Sequence, residues 1–407
     1  MMTAPTLAPV AGNTPRTRPE NLTRYPALDG IRALAFLMVM MTHYYGMPWG
    51  FGGVNIFFVL SGFLITGILY DSRDRPDRVR SFYIRRTLRI FPLYYGVLLV
   101  LLLTTPVFHW RWKLPWIAWP LYVGNFLRLW APHATDFAHL STTFAWLASR
   151  WPNIRLNLGH FWSLCVEEQF YLFWPWLVFW MYSRRRLLVT CTAVVLLCPV
   201  LRAVVQAHAP AWTGGSREMV YAIGVPFQLD ALLLGALLAL LWRGAYRHHL
   251  QRISTILLGT ATCLLVAYIV RIRVLHPHGL WDGFDYPTWR ITWGLSLIDL
   301  YGALLMVCAL RPGSLTYRIF DLRPLRALGR ISYGAYVFHD MPHPIYWFAA
   351  ATLIRHLHLH HFTQMLTLFF ALTGTIVLAS LSYRFFETPF LNLKERWAPS
   401  RRFVAGD

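Results

Sequence analysis

An all-α, multi-pass membrane fold is the class this sequence predicts, and three observations predict it. Of 407 residues, 56% are hydrophobic and only 14% charged, whereas soluble domains carry about 25% charged residues. Mostly apolar runs of about 20 residues recur along the chain, each long enough to cross a bilayer as a helix. The basic residues gather in alternate loops between those runs, as a chain threaded back and forth through a membrane requires. A net charge of +20 could suit nucleic acid, but its placement argues for topology instead. No nucleic-acid partner is expected.

In chain order, residues 1–24 are rich in Thr, Pro, Ala and Arg and lack an apolar segment, which predicts a disordered tail and no cleaved signal peptide. Ten spans follow, near 28–47, 52–70, 91–108, 160–182, 187–205, 220–242, 253–270, 291–310, 327–350 and 364–386. The stretch 114–131, LPWIAWPLYVGNFLRLWA, is apolar but interrupted by proline. Counted as a crossing it would spoil the charge alternation, so a re-entrant or interfacial segment is expected. The first tail, 71–90, 183–186, 243–252, 311–330 and the end of the chain then share the basic side, which the positive-inside rule places in the cytoplasm with both termini. The expected address is the inner (plasma) membrane. One membrane domain over 25–390 is expected, followed by a basic cytoplasmic tail over 391–407. Cys165, Cys191, Cys198, Cys263 and Cys308 all fall in apolar segments without metal-type spacing, which predicts packed free thiols and no metal site.

Ionisable residues inside spans are costly and mark candidate function. Arg32 and His43 bracket the first span, RALAFLMVMMTHYYG. Eleven residues apart, they share one helix face about 16 Å apart along the axis. Alone, the arginine could snorkel to headgroups and the histidine could be a packed polar group; together they suggest a polar seam. In GHFWSLCVEEQFYLFWP, Glu167 and Glu168 sit in an aromatic run, with His160 and Ser163 on the face of Glu167. Its depth suggests Glu167 as an orienting partner for His43, although a structural ion pair would explain a carboxylate equally well. Asp230, Asp299, His339 and Asp340 also lie within spans, where each could simply pair with another helix. In SFYIRRTLRIFPLYY, Arg85 and Arg89 are four apart with Arg86 beside them. Topology signalling explains them, but guanidinium groups also match phosphate oxygens, and a phosphate-bearing cytosolic donor such as coenzyme A would suit. Gly52, Gly53, Ser61 and Gly62 read as close helix packing, and Asn55 is polar at the start of that helix.

In order, LDGIRALAFLMVMMTH, GGVNIFFVLSGFLIT, RRTLRIFPLYY, HFWSLCVEEQFYLFWP, DALLLGALLAL, ISYGAYVFH and FFETPF resemble the acyltransferase 3 family of integral-membrane acyltransferases over residues 25–390. The resemblance implies about ten transmembrane helices and transfer of an acyl group, often acetyl, to a hydroxyl of a surface glycan or a secreted small molecule. Its arginine-then-histidine motif matches Arg32 and His43, its arginine cluster Arg85, Arg86 and Arg89, and its tryptophan-serine-glutamate segment Trp162, Ser163, Glu167 and Glu168. Against the family pattern, Asn55 stands where Asp is frequent, Gln228 stands where Arg is common, weakening the expected pairing of Asp230, and Cys165 replaces a usual Ser. No appended hydrolase-like domain is expected.

The expected chemistry is O-acylation with no bound cofactor. Acyl-CoA, acetyl-CoA above all, is the co-substrate held by Arg85, Arg86 and Arg89. His43 acts with Arg32, Glu167 and Glu168 as catalytic candidates, either as general base or as a covalent acyl carrier. An ordinary imidazole, with a pKa of about 6.5, is a neutral base at physiological pH. Asn55, Trp162, Ser163, Asp230 and His339 are candidates for the acceptor side. Expected partners are the lipid bilayer, acyl-CoA and a glycan or glycoside. A transporter or flippase would also bury such residues, but two similar halves with broken helices are not visible in the sequence.

Overall fold

The computed structural model describes residues 25–47, 49–127, 139–142, 155–208, 225–275, 290–358 and 360–399. The predicted tail over 1–24, residues 128–131 of the proline-interrupted stretch, 220–224 of the sixth predicted span and the last eight residues lie outside these. The first helix, α1 (Pro26–Tyr45), shows why the ends fall where they do. Pro26 opens it where no N–H is required, Asp29 lies in the first turn, His43 in the last, and Gly46 closes it at φ 73° with its N–H returned to the Met41 carbonyl. There follow α2 (Gly52–Asp71), α3 (Arg78–Leu103), α4 (Trp162–Met181), α5 (Arg184–His208), α6 (Val225–Trp242), α7 (Arg247–Leu275) and α8 (Leu295–Ala309). The chain ends through α9 (Leu315–Phe320), α10 (Arg323–Arg330), α11 (Ser332–Phe338), α12 (His343–Leu357), α13 (Thr363–Leu381) and α14 (Thr388–Trp397).

Among the described residues, six helices are long and apolar enough to cross a membrane: Gly52–Asp71, Arg78–Leu103, Arg184–His208, Arg247–Arg271, Thr292–Ala309 and Thr363–Trp397. The outward faces of several are apolar and exposed, with Leu196 and Leu197 on α5, Leu264 and Val266 on α7 and Phe369 and Val377 on α13. Lipid is the solvent such faces require. This is a multi-pass, helical membrane protein. The centre of the bundle is α2, packed against α6, α1, α8 and α4. Close approach to α6 depends on two glycines, because a Cβ at Gly62 would collide with the Leu232 carbonyl and one at Gly235 with that of Val59.

One expectation changes. The span predicted over 327–350 is not one helix: it divides into α10, α11 and α12, with an irregular turn at 339–342. Pro342 and Pro344 remove backbone donors and disfavour helix in the residues before them. Irregular backbone is tolerated at such depth only where protein buries it, and His339 and Asp340 are indeed buried. The basic tail expected from residue 391 is helical as far as Trp397, in α14 against α3. It continues α13 through a π-helical turn at Ser382–Glu387. Finally, β1 (His139–Ser141) and β2 (Arg155–Asn157) form a short antiparallel pair, with His139 opposite Asn157. Over its described part the proline-interrupted stretch makes only short 3₁₀ turns, Leu114–Ala118 and Gly124–Phe126. It is tied to α3 by hydrogen bonds from Tyr94 and Tyr95 to the carbonyls of Trp119 and Pro120, and to α4 by Gln169.

Candidate functional site

Two polar clusters lie along the stripe of α1 that carries Arg32 and His43. At the Arg32 end is a cavity whose polar lining includes Arg32, Ser61, Arg86, Arg89, Ser163 and Glu167. Arg32 is held by Asp29 one turn away. Arg86 lies over the Tyr171 ring at 3.7 Å, a cation–π contact that fixes its plane. Among the described residues neither Arg86 nor Arg89 has a carboxylate within ion-pair contact, although Glu167 and Glu168 lie near enough to Arg86, and Glu387 to Arg89, to offset part of their charge. Arg85, which the sequence grouped with them, points elsewhere. Its guanidinium donates to Glu395 at 2.9 Å and to the Ala398 carbonyl at 2.7 Å, on and just beyond α14.

At the His43 end the turn at 339–342 places one carboxylate among imidazoles. Asp340, 2% exposed, has Oδ1 at 3.4 Å from His43 Nδ1 and 3.6 Å from His343 Nδ1. Its Oδ2 lies 3.9 Å from His160 Nδ1 and accepts a hydrogen bond from the Asn157 amide on β2. His339 fills the space behind, its ring edge-on to those of His43 and His160 at 4.9 and 4.7 Å. Tyr44 donates to the His339 carbonyl at 2.6 Å and faces the His343 ring. Among the described residues no three His, Cys, Asp or Glu side chains converge as a metal set.

A hydroxyl pair joins the two clusters. Ser163 Oγ and Tyr336 OH are 2.6 Å apart, and both lie within hydrogen-bond distance of the His160 carbonyl. They line the cavity on one side, while on the other the Tyr336 ring meets His160 and His339. From the cavity lining to the imidazole of His43, Ser163, Tyr336 and His339 thus form a chain of contacts.

The sequence-predicted residues separate into groups. Arg32, Arg86, Arg89, Ser163 and Glu167 meet at the cavity, and His43 and His339 at the other end. The carboxylate beside His43 is Asp340, not Glu167 as expected. Glu167 accepts from Ser61 at 2.6 Å and sits seven residues further along the chain than His160, about 10 Å deeper at 1.5 Å per residue. Helical rise sets that difference. Glu168 is adjacent, its Oε1 buried with no hydrogen-bond partner among the described residues. Trp162 packs edge-on to Phe58. Asn55 and Asp230 belong to a separate buried network. Asn55 donates to Asp299 at 2.8 Å and to Gln228 at 3.4 Å. Asp230 is not weakly paired, as Gln228 had suggested: Arg202 on α5 grips it with two bonds of 3.0 and 2.6 Å. Sequence reasoning gave no role to His343 or Asn157. The one available signal was the proline-flanked HDMPHP, which breaks a span at a histidine–aspartate pair.

A helical membrane bundle with an arginine-lined cavity at one end and an imidazole cluster around a buried carboxylate at the other frames the candidate site. The chain belongs to the acyltransferase 3 family, whose model, described as an acyltransferase domain, matches residues 25–384. It is 31% identical over 406 residues to a protein named putative peptidoglycan O-acetyltransferase YrhL of Bacillus subtilis (strain 168), covering 93% of this chain and 57% of that one. It is 30% identical over 401 residues to peptidoglycan O-acetyltransferase OatA of Listeria monocytogenes serovar 1/2a, covering 91% and 57%. A putative O-acetyltransferase of Staphylococcus aureus (strain COL) is 28% identical over 388 residues, covering 92% and 58%. The chain therefore spans a little over half the length of these relatives. No solved structure matches it.

Proposed function

We propose that this protein is a membrane O-acyltransferase that takes an acetyl group from acetyl-CoA at the Arg32 end and delivers it to a sugar hydroxyl at the His43 end. The observation that carries this reading is the continuous polar line from the Arg86–Arg89 cavity, through Ser163 and Tyr336, to His43. The cavity suits a polyphosphate donor, because its arginines outnumber its one lining carboxylate and, among the described residues, Arg86 and Arg89 have none in ion-pair contact, which leaves them open to phosphate oxygens. The ends of the stripe, about 16 Å apart, suit an extended thioester arm. The loop charges favour the Arg32 end facing the cytoplasm of a plasma-membrane protein with both termini inside. The acceptor then approaches from outside. Peptidoglycan, named for two relatives, is the first glycan to test.

His43 removes the acceptor hydroxyl proton as that oxygen attacks the thioester carbonyl. The C–O bond forms, the C–S bond breaks, and the departing thiolate takes the proton to leave free CoA and an O-acetyl ester. Arg32, Glu167 and Ser61 line the donor's route, and Glu168, His339 and Trp162 shape the walls around it. Asn55 and Asp230 support the acceptor side through the network they share with Arg202.

The test is transfer of radiolabelled acetyl from acetyl-CoA to a muropeptide fraction by the protein in nanodiscs. Label on the glycan is expected from the wild type and none from His43→Ala. The paired change Arg86→Ala and Arg89→Ala should weaken donor use at least roughly tenfold, the scale of losing a charge-assisted phosphate contact. Label transfer by His43→Ala, or unchanged acetyl-CoA dependence in the paired variant, overturns the reading.

A further inference from the structure

We infer that Asp340 is a positioning residue that fixes the ring tautomer of His43, and that Asn157 orients Asp340 for the task. The inference rests on His43 being the group that reacts.

The geometry is directional. Asn157 Oδ1 accepts from the Gly159 N–H at 2.7 Å, so its amide nitrogen is the atom turned to Asp340 Oδ2. That hydrogen bond holds one carboxylate oxygen, and His160 lies on the same side. The carboxylate cannot rotate without breaking it, so Oδ1 stays presented to Nδ1 of His43 and of His343. A carboxylate only accepts, so a neutral ring facing it places its proton on Nδ1 and leaves Nε2 as the basic atom. His43 remains about one-third exposed while Asp340 is buried, as suits a ring that meets substrate and a support that does not. His343 shares the same oxygen, is more exposed than His43, and packs on Tyr44 next to it. The prolines that end α11 and start α12 set this turn, and the β1–β2 pair delivers Asn157 to it.

The hydrogen-bond polarity dictates an unusual test. In Asp340→Asn the new amide must keep its oxygen toward the Asn157 donor, which turns its NH₂ group toward His43. A donor there forces Nδ1 to accept and moves the ring proton to Nε2, so the base is lost although the volume is unchanged. Adding Asn157→Asp reverses the polarity. The carboxylate introduced at position 157 accepts from both the Gly159 N–H and the amide introduced at position 340, and the oxygen at position 340 faces His43 again.

The experiment measures acetyl-CoA-dependent labelling of muropeptides and the nitrogen-15 signature of histidine tautomers, both in nanodiscs. Expected for Asp340→Asn is a kcat loss on the order of 10²- to 10⁴-fold, the scale for a wrong imidazole tautomer, with KM for acetyl-CoA essentially unchanged. The ring proton of His43 should move from Nδ1 to Nε2, and the swapped pair should return it and recover roughly tenfold or more of that kcat loss. Asp340→Asn with wild-type kcat and an unmoved tautomer overturns the inference. So does a swapped pair that leaves the proton on Nε2. If His43→Ala still transfers acetyl, the proposed function falls separately, because the tautomer measurement stands without any acceptor.

Discussion

Breaking the Arg202–Asp230 pair should destabilise the fold far more than deleting it whole. Arg202 is fully buried and Asp230 is 1% exposed. The guanidinium makes two bonds to Asp230, at 3.0 and 2.6 Å, and others to Ser296 and to the Thr292 and Phe227 carbonyls. The π-helical turn at Arg290–Gly294 contains that Thr292 acceptor. Removing one partner leaves an uncompensated buried charge, which costs about 3–5 kcal/mol. At about 1.4 kcal/mol per tenfold, the folded population ratio of Arg202→Met should fall by roughly 10² to 4 × 10³. The variant Arg202→Met with Asp230→Leu removes both charges, and replacing such a pair by apolar groups is often neutral or stabilising. It should recover most of the loss. Denaturant unfolding in mixed micelles, followed by tryptophan fluorescence, measures both. If Arg202→Met is as stable as the wild type, the pair is not structural. If the double variant is no better than the single, charge burial is the wrong explanation and the network's geometry matters instead. Should the double variant be stable yet unable to acetylate, Asp230 serves the acceptor side as well as the fold.

Gly62→Leu should abolish folded protein, since α6 backbone occupies the space; size-exclusion chromatography of the detergent extract checks this, and a monodisperse product would refute the packing argument. Arg85→Ala should alter the acetyl-CoA KM much less than Arg89→Ala, because Arg85 is committed to Glu395 and Ala398. Equal effects would show that Arg85 swings into the cavity. Of the cysteines, Cys263 is exposed whereas Cys165, Cys191, Cys198 and Cys308 are buried, so a lipid-soluble maleimide should modify Cys263 in the folded protein and the rest only after denaturation, by peptide mass spectrometry. In the loop before α3, hydrogen bonds from Arg75 and Ser81 hold Asp77 down at about 2 from an ordinary 3.8. Its contribution is therefore present above about 3.8 and is lost as pH falls through about 2. The carboxyl carbon shift of Asp77 should stay flat as pH falls from neutral to about 4; a midpoint near the ordinary 3.8 would show that the Arg75 contact does not hold in solution.

Much of the architecture was legible in the chain because bilayer thickness is a strong constraint. Apolar runs of about 20 residues became helices at nearly every predicted position, and Gly62 of α2 marked a close helix contact. The one misplaced span, 327–350, shows the limit. A hydropathy window averages over HDMPHP, whereas two prolines act on individual backbone donors.

The sequence by itself determined which residues are costly in lipid, among them Arg32, His43, Glu167, Asp230 and His339, since that cost depends on residue type and depth alone. Only the tertiary structure decided who meets whom. Spacing along one helix says nothing about a neighbour contributed by another, so Asp340 rather than Glu167 stands beside His43, and Arg202 rather than residue 228 grips Asp230. Nor does spacing show that Arg85 and Arg89, one turn apart, part company. Partners far apart in the chain are chosen by packing, and at His43 one broken helix and one short strand pair made the choice.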